Sequence, residues 1–152
     1  EPPATIRPEV AEAIRGLDAV VIGPGSFYTS IMPPLLVGGV AEALAAVKGP
    51  ILLIANLVTE GRGMTGFTAG EAVRRIGDTI GRAVDVVLVN DRVPPAAVLA
   101  RYEVEHKLPL PLGEVPAGCE IIEGDFWRPE IARHDRWRLA YAVWSVLSRR
   151  LL

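Results

Sequence analysis

The sequence is poor in the residues that make disulfides and metal sites. Cys119 stands alone in 152 residues, so no internal disulfide can form. The two histidines, His106 and His134, lie far apart and give no ligand spacing for a metal. Lysine is scarce: Lys48 and Lys107 are the only ones among 16 basic residues. Against them stand 18 acidic residues, for a net charge of −2. That balance lacks the basic excess of a non-specific nucleic-acid binder. No apolar run reaches membrane-spanning length before Gly, Pro or a charge breaks it. No secretory leader is recognisable and the single thiol suits a reducing compartment, so the expected location is cytoplasmic.

Half of the residues are hydrophobic, which excludes a disordered chain and suits one domain with a sizeable core. Three short apolar runs, "AVVIGPG" (19–25), "ILLIAN" (51–56) and "VDVVLVN" (84–90), lack polar alternation. They read as strands buried on both faces, the kind found in parallel sheets. "CEIIEGDF" (119–126) can supply a fourth. Helical patterns lie between and around them: "RPEVAEAIRGL", with Pro8 near its start and Gly16 near its end, "VAEALAAVK" (40–48), and 68–84. The last begins with Thr68 and Glu71 at capping-box spacing. The Pro-rich stretch 92–116 reads as a short helix and an extended excursion. Asp135 is placed to cap a final helix whose Leu139, Val143, Val146 and Leu147 share a face. Such alternation predicts an α/β fold with a mainly parallel sheet. Three or four strands are few for a doubly wound sheet, and the chain opens on Glu1. The expectation is therefore the C-terminal portion, residues 1–152, of a single domain.

In open α/β sheets ligands gather beyond the carboxyl ends of the strands. After the first strand comes "GPGSFYTS" (23–30). Gly23 and Gly25 let a backbone approach a ligand, and Ser26, Thr29 and backbone N–H groups can donate to phosphate. The stretch matches neither the dinucleotide fingerprint, which needs a third Gly where Tyr28 stands, nor the Walker A loop. A tight strand-to-helix turn with a hydroxyl cap explains it equally well. "NLVTEGRGMTGFT" (56–68) offers the Asn56 amide, the Thr59 hydroxyl and the Arg62 guanidinium, or is simply a flexible loop. Asn90, at a strand end, either meets a ligand or satisfies only backbone. In "RHD" (133–135), Arg133 can pair with phosphate and His134 can move a proton or bind a phosphate oxygen. Tyr102 can stack on a ring or pack in a core. Ser26, His134 and Asp135 do not compose a hydrolase triad, because Gly-Pro-Gly-Ser-Phe is no nucleophile elbow. The residues alone leave these alternatives open.

Four segments together carry a resemblance. "GPGSFYTSIMPPLLVGGVAEAL", "ANLVTEGRGMTGFTAGEAV", "VDVVLVN" and "RHDRWRLAYAV", in that order, resemble the YvcK-type gluconeogenesis factors of the CofD-like superfamily. The resemblance implies a Rossmann-like three-layer α/β fold, cytoplasmic location and binding of UDP-N-acetylglucosamine, with no cofactor firmly implied. It also implies a regulatory role in gluconeogenic growth, cell shape and peptidoglycan precursor supply. Tyr102 is then expected to face the uracil or sugar and Arg133 the diphosphate. The related 2-phospho-L-lactate transferase branch of cofactor F420 biosynthesis is the alternative, and Mg²⁺ enters only there. The family's Pro before the second loop Gly is Gly38 here, and two acidic family positions are Gly63 and Thr65. The opening Gly-Gly-Gly-Thr-Gly loop of the family is missing. Such a portion is expected to pair with a second copy or with the N-terminal portion.

Overall fold

The computed structural model describes residues 4–61 and 64–152. Its centre is a four-stranded parallel sheet in the order β1-β2-β3-β4, formed by Val20–Ile22, Ile51–Ile54, Val86–Asn90 and Glu120–Gly124. Sequential strands are neighbours, so each connection must cross over the sheet and carries helical chain.

The inner strands explain the apolar runs. β2 and β3 are buried on both faces, and alternate residues serve opposite layers. Ile51, Leu53, Val87 and Val89 pack in one cluster with Val73, Ile76 and Ile80 of α4 (Ala69–Ile80) and Leu44 of α3 (Val40–Ala45). Leu52, Val86 and Leu88 face the other way, against Val146, Leu139, Val143 and Leu147 of α6 (Arg136–Leu151). The result is a helix–sheet–helix sandwich, as the sequence pattern predicts. Burying each large aliphatic side chain stabilises it by about 1.5–3 kcal/mol over exposure. Along α6, Trp137, Tyr141 and Trp144 stay outside this cluster and are exposed.

β1 departs from expectation. It has three residues, and Val21 is exposed instead of buried. Val21 pairs in register with Leu52 and so shares the α6 side of the sheet, but it lies outside the cluster that α6 covers. β4 is joined to α6 by charge: Glu120 accepts from Arg149 at 3.0 Å and from Arg150 at 2.7 Å.

Helix α1 spans Pro8–Arg15, within the predicted segment. Thr68 caps α4 as its spacing predicts, its Oγ1 accepting the Glu71 N–H at 3.1 Å. The Glu71 carboxylate does not close the box and pairs instead with Arg74 and Arg75. Gly81, at φ 68°, ends the helix four residues before the predicted limit. The Pro-rich excursion supplies further caps, since the N–H groups of Ala69 and Gly70 donate to the carbonyls of Pro111 and Leu112. It runs so close that a Cβ on Gly70 would sit 1.9 Å from the Glu114 carbonyl oxygen.

Two features exceed the sequence reading. After β1 the chain makes one π-helical turn, Phe27–Ile31, leading directly into α2 (Met32–Leu35). Residues 127–134 form an antiparallel hairpin of β5 (Trp127–Arg128) and β6 (Ile131–His134). The hairpin buries Trp127 against Leu57 and Val98, the latter from α5 (Ala96–Glu103). No helix among the described residues is long and apolar enough to cross a membrane.

Candidate functional site

Where β1 and β2 end, one side chain joins their exits. The Gly25 N–H donates to Asn56 Oδ1 at 3.0 Å, and Asn56 Nδ2 donates to the Gly25 carbonyl at 2.8 Å. The amide thus extends the parallel ladder beyond its last backbone pair. Four residues on, Glu60 reaches back to the first loop. Its Oε2 accepts from the Ser26 hydroxyl at 2.6 Å, and its Oε1 accepts from the Phe27 N–H at 2.5 Å.

Thr59 fixes the other side of this loop. Its N–H donates to the Leu108 carbonyl at 2.7 Å, and its hydroxyl accepts the Leu108 N–H at 3.0 Å. Val58 and Pro109 form an antiparallel bridge beside them. Tyr102, from α5, accepts the Ala132 N–H on its hydroxyl at 2.9 Å and so ties the hairpin to α5. Between these anchors lies a cleft of about 370 Å³. One wall comes from the β1 and β2 exits, and the other from α5, Lys107 and strand β6.

Six of the residues singled out in the sequence line this cleft: Gly25, Asn56, Thr59, Tyr102, Arg133 and His134. Ser26 stands beside it, its hydroxyl turned to Glu60. Four others lie elsewhere. Gly23 is exposed at the strand end and does not line the cleft. Tyr28 turns toward α4, where its hydroxyl accepts from Arg75 at 2.6 Å and its ring lies under the same guanidinium. Thr29 is exposed on the π-helical turn. Asn90 accepts the Phe126 N–H at 3.0 Å and donates to the Arg92 carbonyl at 2.7 Å, so it shapes the path into β5. Arg62 falls outside the described residues.

Glu60 and Lys107 also line the cleft and were not singled out in the sequence. Glu60's two short bonds reach partners 33 and 34 residues away, beyond any local pattern. The scarcity of lysine was the one available hint for Lys107.

The charges of the site are unequal. Burial pushes the His134 imidazole below its ordinary pKa, opposed by a hydrogen bond to the Ala55 backbone. His134 is therefore neutral at pH 7 and suited to hydrogen bonding, not to fixed positive charge. Lys107 is paired with Glu105. Arg133 is exposed, and among the described residues no carboxylate pairs with it. Arg133 is thus the cation available to an anionic ligand. Asp135 does not orient His134. Its Oδ1 caps α6 by accepting the N–H groups of Trp137 at 3.0 Å and Arg138 at 3.2 Å.

A larger groove, about 730 Å³, runs between β4 and α6. Its lining is mainly apolar; it takes in the exit of β4 through Gly124, Asp125 and Phe126, but not the exits of β1 and β2. The smaller cleft has the converging donors and acceptors that fix a polar ligand.

Comparisons with known proteins agree with this architecture. The family described as "2-phospho-L-lactate transferase CofD" matches residues 1–127. The gluconeogenesis factor of Bacillus subtilis is 32% identical over 147 residues, covering 93% of this chain and 46% of that protein. The gluconeogenesis factor of Halalkalibacterium halodurans is 38% identical, covering 89% and 44%. A crystal structure of a Bacillus halodurans protein superposes with a TM-score of 0.82 at 33% identity, over 92% of this chain and 47% of that one. A Bacillus halodurans structure described as a UPF0052 family member gives 0.80 at 32%. The chain spans less than half the length of these relatives. With the family match reaching from residue 1 to residue 127 and the parallel sheet shared with solved relatives, the chain belongs to the CofD family, similar to its YvcK-type gluconeogenesis factors.

Proposed function

We propose that this chain forms the nucleotide-sugar-binding part of a gluconeogenesis factor, with UDP-N-acetylglucosamine as ligand and a regulatory role in gluconeogenic growth, cell shape and peptidoglycan precursor supply. The supporting observation is the convergence of four separate segments on one cleft at the strand ends. Gly25 and Asn56, their amides bonded to each other, shape one wall; Tyr102 borders the space, His134 brings a neutral imidazole, and Arg133 a guanidinium with no carboxylate partner among the described residues. In this reading the diphosphate lies against Arg133, where two parallel N–H bonds suit its oxygens. Tyr102 borders the uracil or sugar.

Calorimetry of the full-length protein with UDP-N-acetylglucosamine tests the reading. Saturable heat is expected, weakened about tenfold or more in Arg133→Met, because charge-assisted hydrogen bonds contribute most at such sites. Absence of binding at millimolar ligand would refute it.

The family description supports a second reading, transfer of a phospholactyl group to a deazaflavin with Mg²⁺. It requires carboxylates around the metal and phosphates. Among the described residues Glu60 is the one carboxylate lining the cleft. A product assay with both substrates and Mg²⁺ separates the readings, since only the transferase yields a coupled product.

A further inference from the structure

Glu60 is the acidic group of the cleft, and its bonds limit what can face it. An ionised carboxylate only accepts hydrogen bonds and has room for about four. Oε1 takes the Phe27 N–H at 2.5 Å and is also 3.4 Å from Asn56 Nδ2. Among the described residues, Oε2 takes only the Ser26 hydroxyl. One acceptor position on Oε2 therefore remains, on a side chain that is half-buried and held from two strand exits. A phosphate placed there would set anion against anion. A hydroxyl or amide N–H placed there would gain a bond to a charged acceptor.

The opposite wall has the reverse character. Arg133 comes from β6 and carries the positive charge not already paired. The cleft is therefore polar from wall to wall: acceptor at the β2 exit, donor on the hairpin.

We propose that Glu60 sets the direction and the sugar requirement of the ligand, accepting a hydrogen bond from the hexosamine part while the diphosphate is held at Arg133. This rests on the nucleotide-sugar reading above and assigns a specificity role to a residue outside it. A ligand ending in a terminal phosphate leaves Glu60 without its donor and is bound more weakly.

The experiment is calorimetry of the full-length protein with UDP-N-acetylglucosamine and with UDP, on the unaltered protein, Glu60→Gln and Arg133→Met. The unaltered protein is expected to prefer the sugar nucleotide about tenfold, the ordinary difference for one hydrogen bond to a charged group. Glu60→Gln is expected to abolish most of that preference, weakening UDP-N-acetylglucosamine while leaving UDP unchanged or tighter. Arg133→Met should weaken both ligands by similar factors. Glutamine still accepts from the Phe27 N–H, and a thermal melt checks that the variant folds. Should it not fold, the ratio of the two affinities in the unaltered protein still decides, a ratio near one overturning the proposal. A ratio unaltered by Glu60→Gln also overturns it while leaving the cleft reading intact. Failure of both ligands to bind the unaltered protein removes that reading and this one together.

Discussion

Replacing Asn56 tests whether one side chain holds the β1 and β2 exits together. Asn56→Ala removes the bonds of 3.0 and 2.8 Å to the Gly25 N–H and carbonyl. Each such bond contributes about 1 kcal/mol net, so the loss is about 2 kcal/mol. In a domain of this size that lowers Tm by about 4–8 °C. Asn56→Asp is the sharper perturbation, being nearly isosteric. It keeps an acceptor for the Gly25 N–H but has no donor for the Gly25 carbonyl. It also puts a second carboxylate where Asn56 Nδ2 now lies 3.4 Å from Glu60 Oε1. At an effective dielectric of 20, two charges about 4 Å apart repel by ~4 kcal/mol, less whatever the exits relax. Asn56→Asp should therefore be less stable than Asn56→Ala at pH 8 despite its closer shape. Acidification should narrow the gap, because a protonated carboxyl can donate to the Gly25 carbonyl. Urea unfolding of the three proteins at pH 8 and pH 5 reads this directly. If Asn56→Asp equals the unaltered protein at pH 8, or Asn56→Ala costs less than about 0.5 kcal/mol, the amide is not the joint described here.

Two further outcomes follow from buried titratable groups. His134 has its pKa lowered by burial, so below its unfolded value of about 6.5 the unfolded chain holds more protons than the folded one. Stability should fall as pH drops from 7.5 through that value toward the lower folded one, and His134→Gln should flatten this part of the urea-midpoint profile; an unchanged slope refutes the assignment. Cys119 is half-buried, with its thiol pushed up to about 11, chiefly by desolvation. Thiolate is then scarce at pH 8, and alkylation by iodoacetamide should run roughly a hundredfold slower in the folded chain than in urea. Comparable rates in both states would contradict that placement.

The chemistry of a residue was often legible in the sequence when its partners were near in the chain. Thr68 and Asp135 lie within three residues of the N–H groups they accept, so cap spacing revealed both. Strand-end Asn90 was legible only as a pair of alternatives, and its partner at Phe126 decides between backbone support and the cleft. Tyr28 shows the same limit. A hydroxyl two residues after Ser26 looks ligand-facing in a list of residues, but the π-helical turn rotates it toward Arg75.

The alternation of apolar runs with helical patterns determined the layered fold, because a strand buried on both faces must be apolar throughout and needs covering helices. Local spacing likewise determined the caps Thr68 and Asp135, and a single cysteine excludes an internal disulfide. The tertiary structure alone decided which polar residues share the cleft. Asn56 meets Gly25 across 31 residues, and Tyr102 meets Ala132 across 30. Glu60 became a site residue only when parallel strands brought two exits side by side. Long-range pairing is set by sheet register and packing, which no short stretch of sequence encodes.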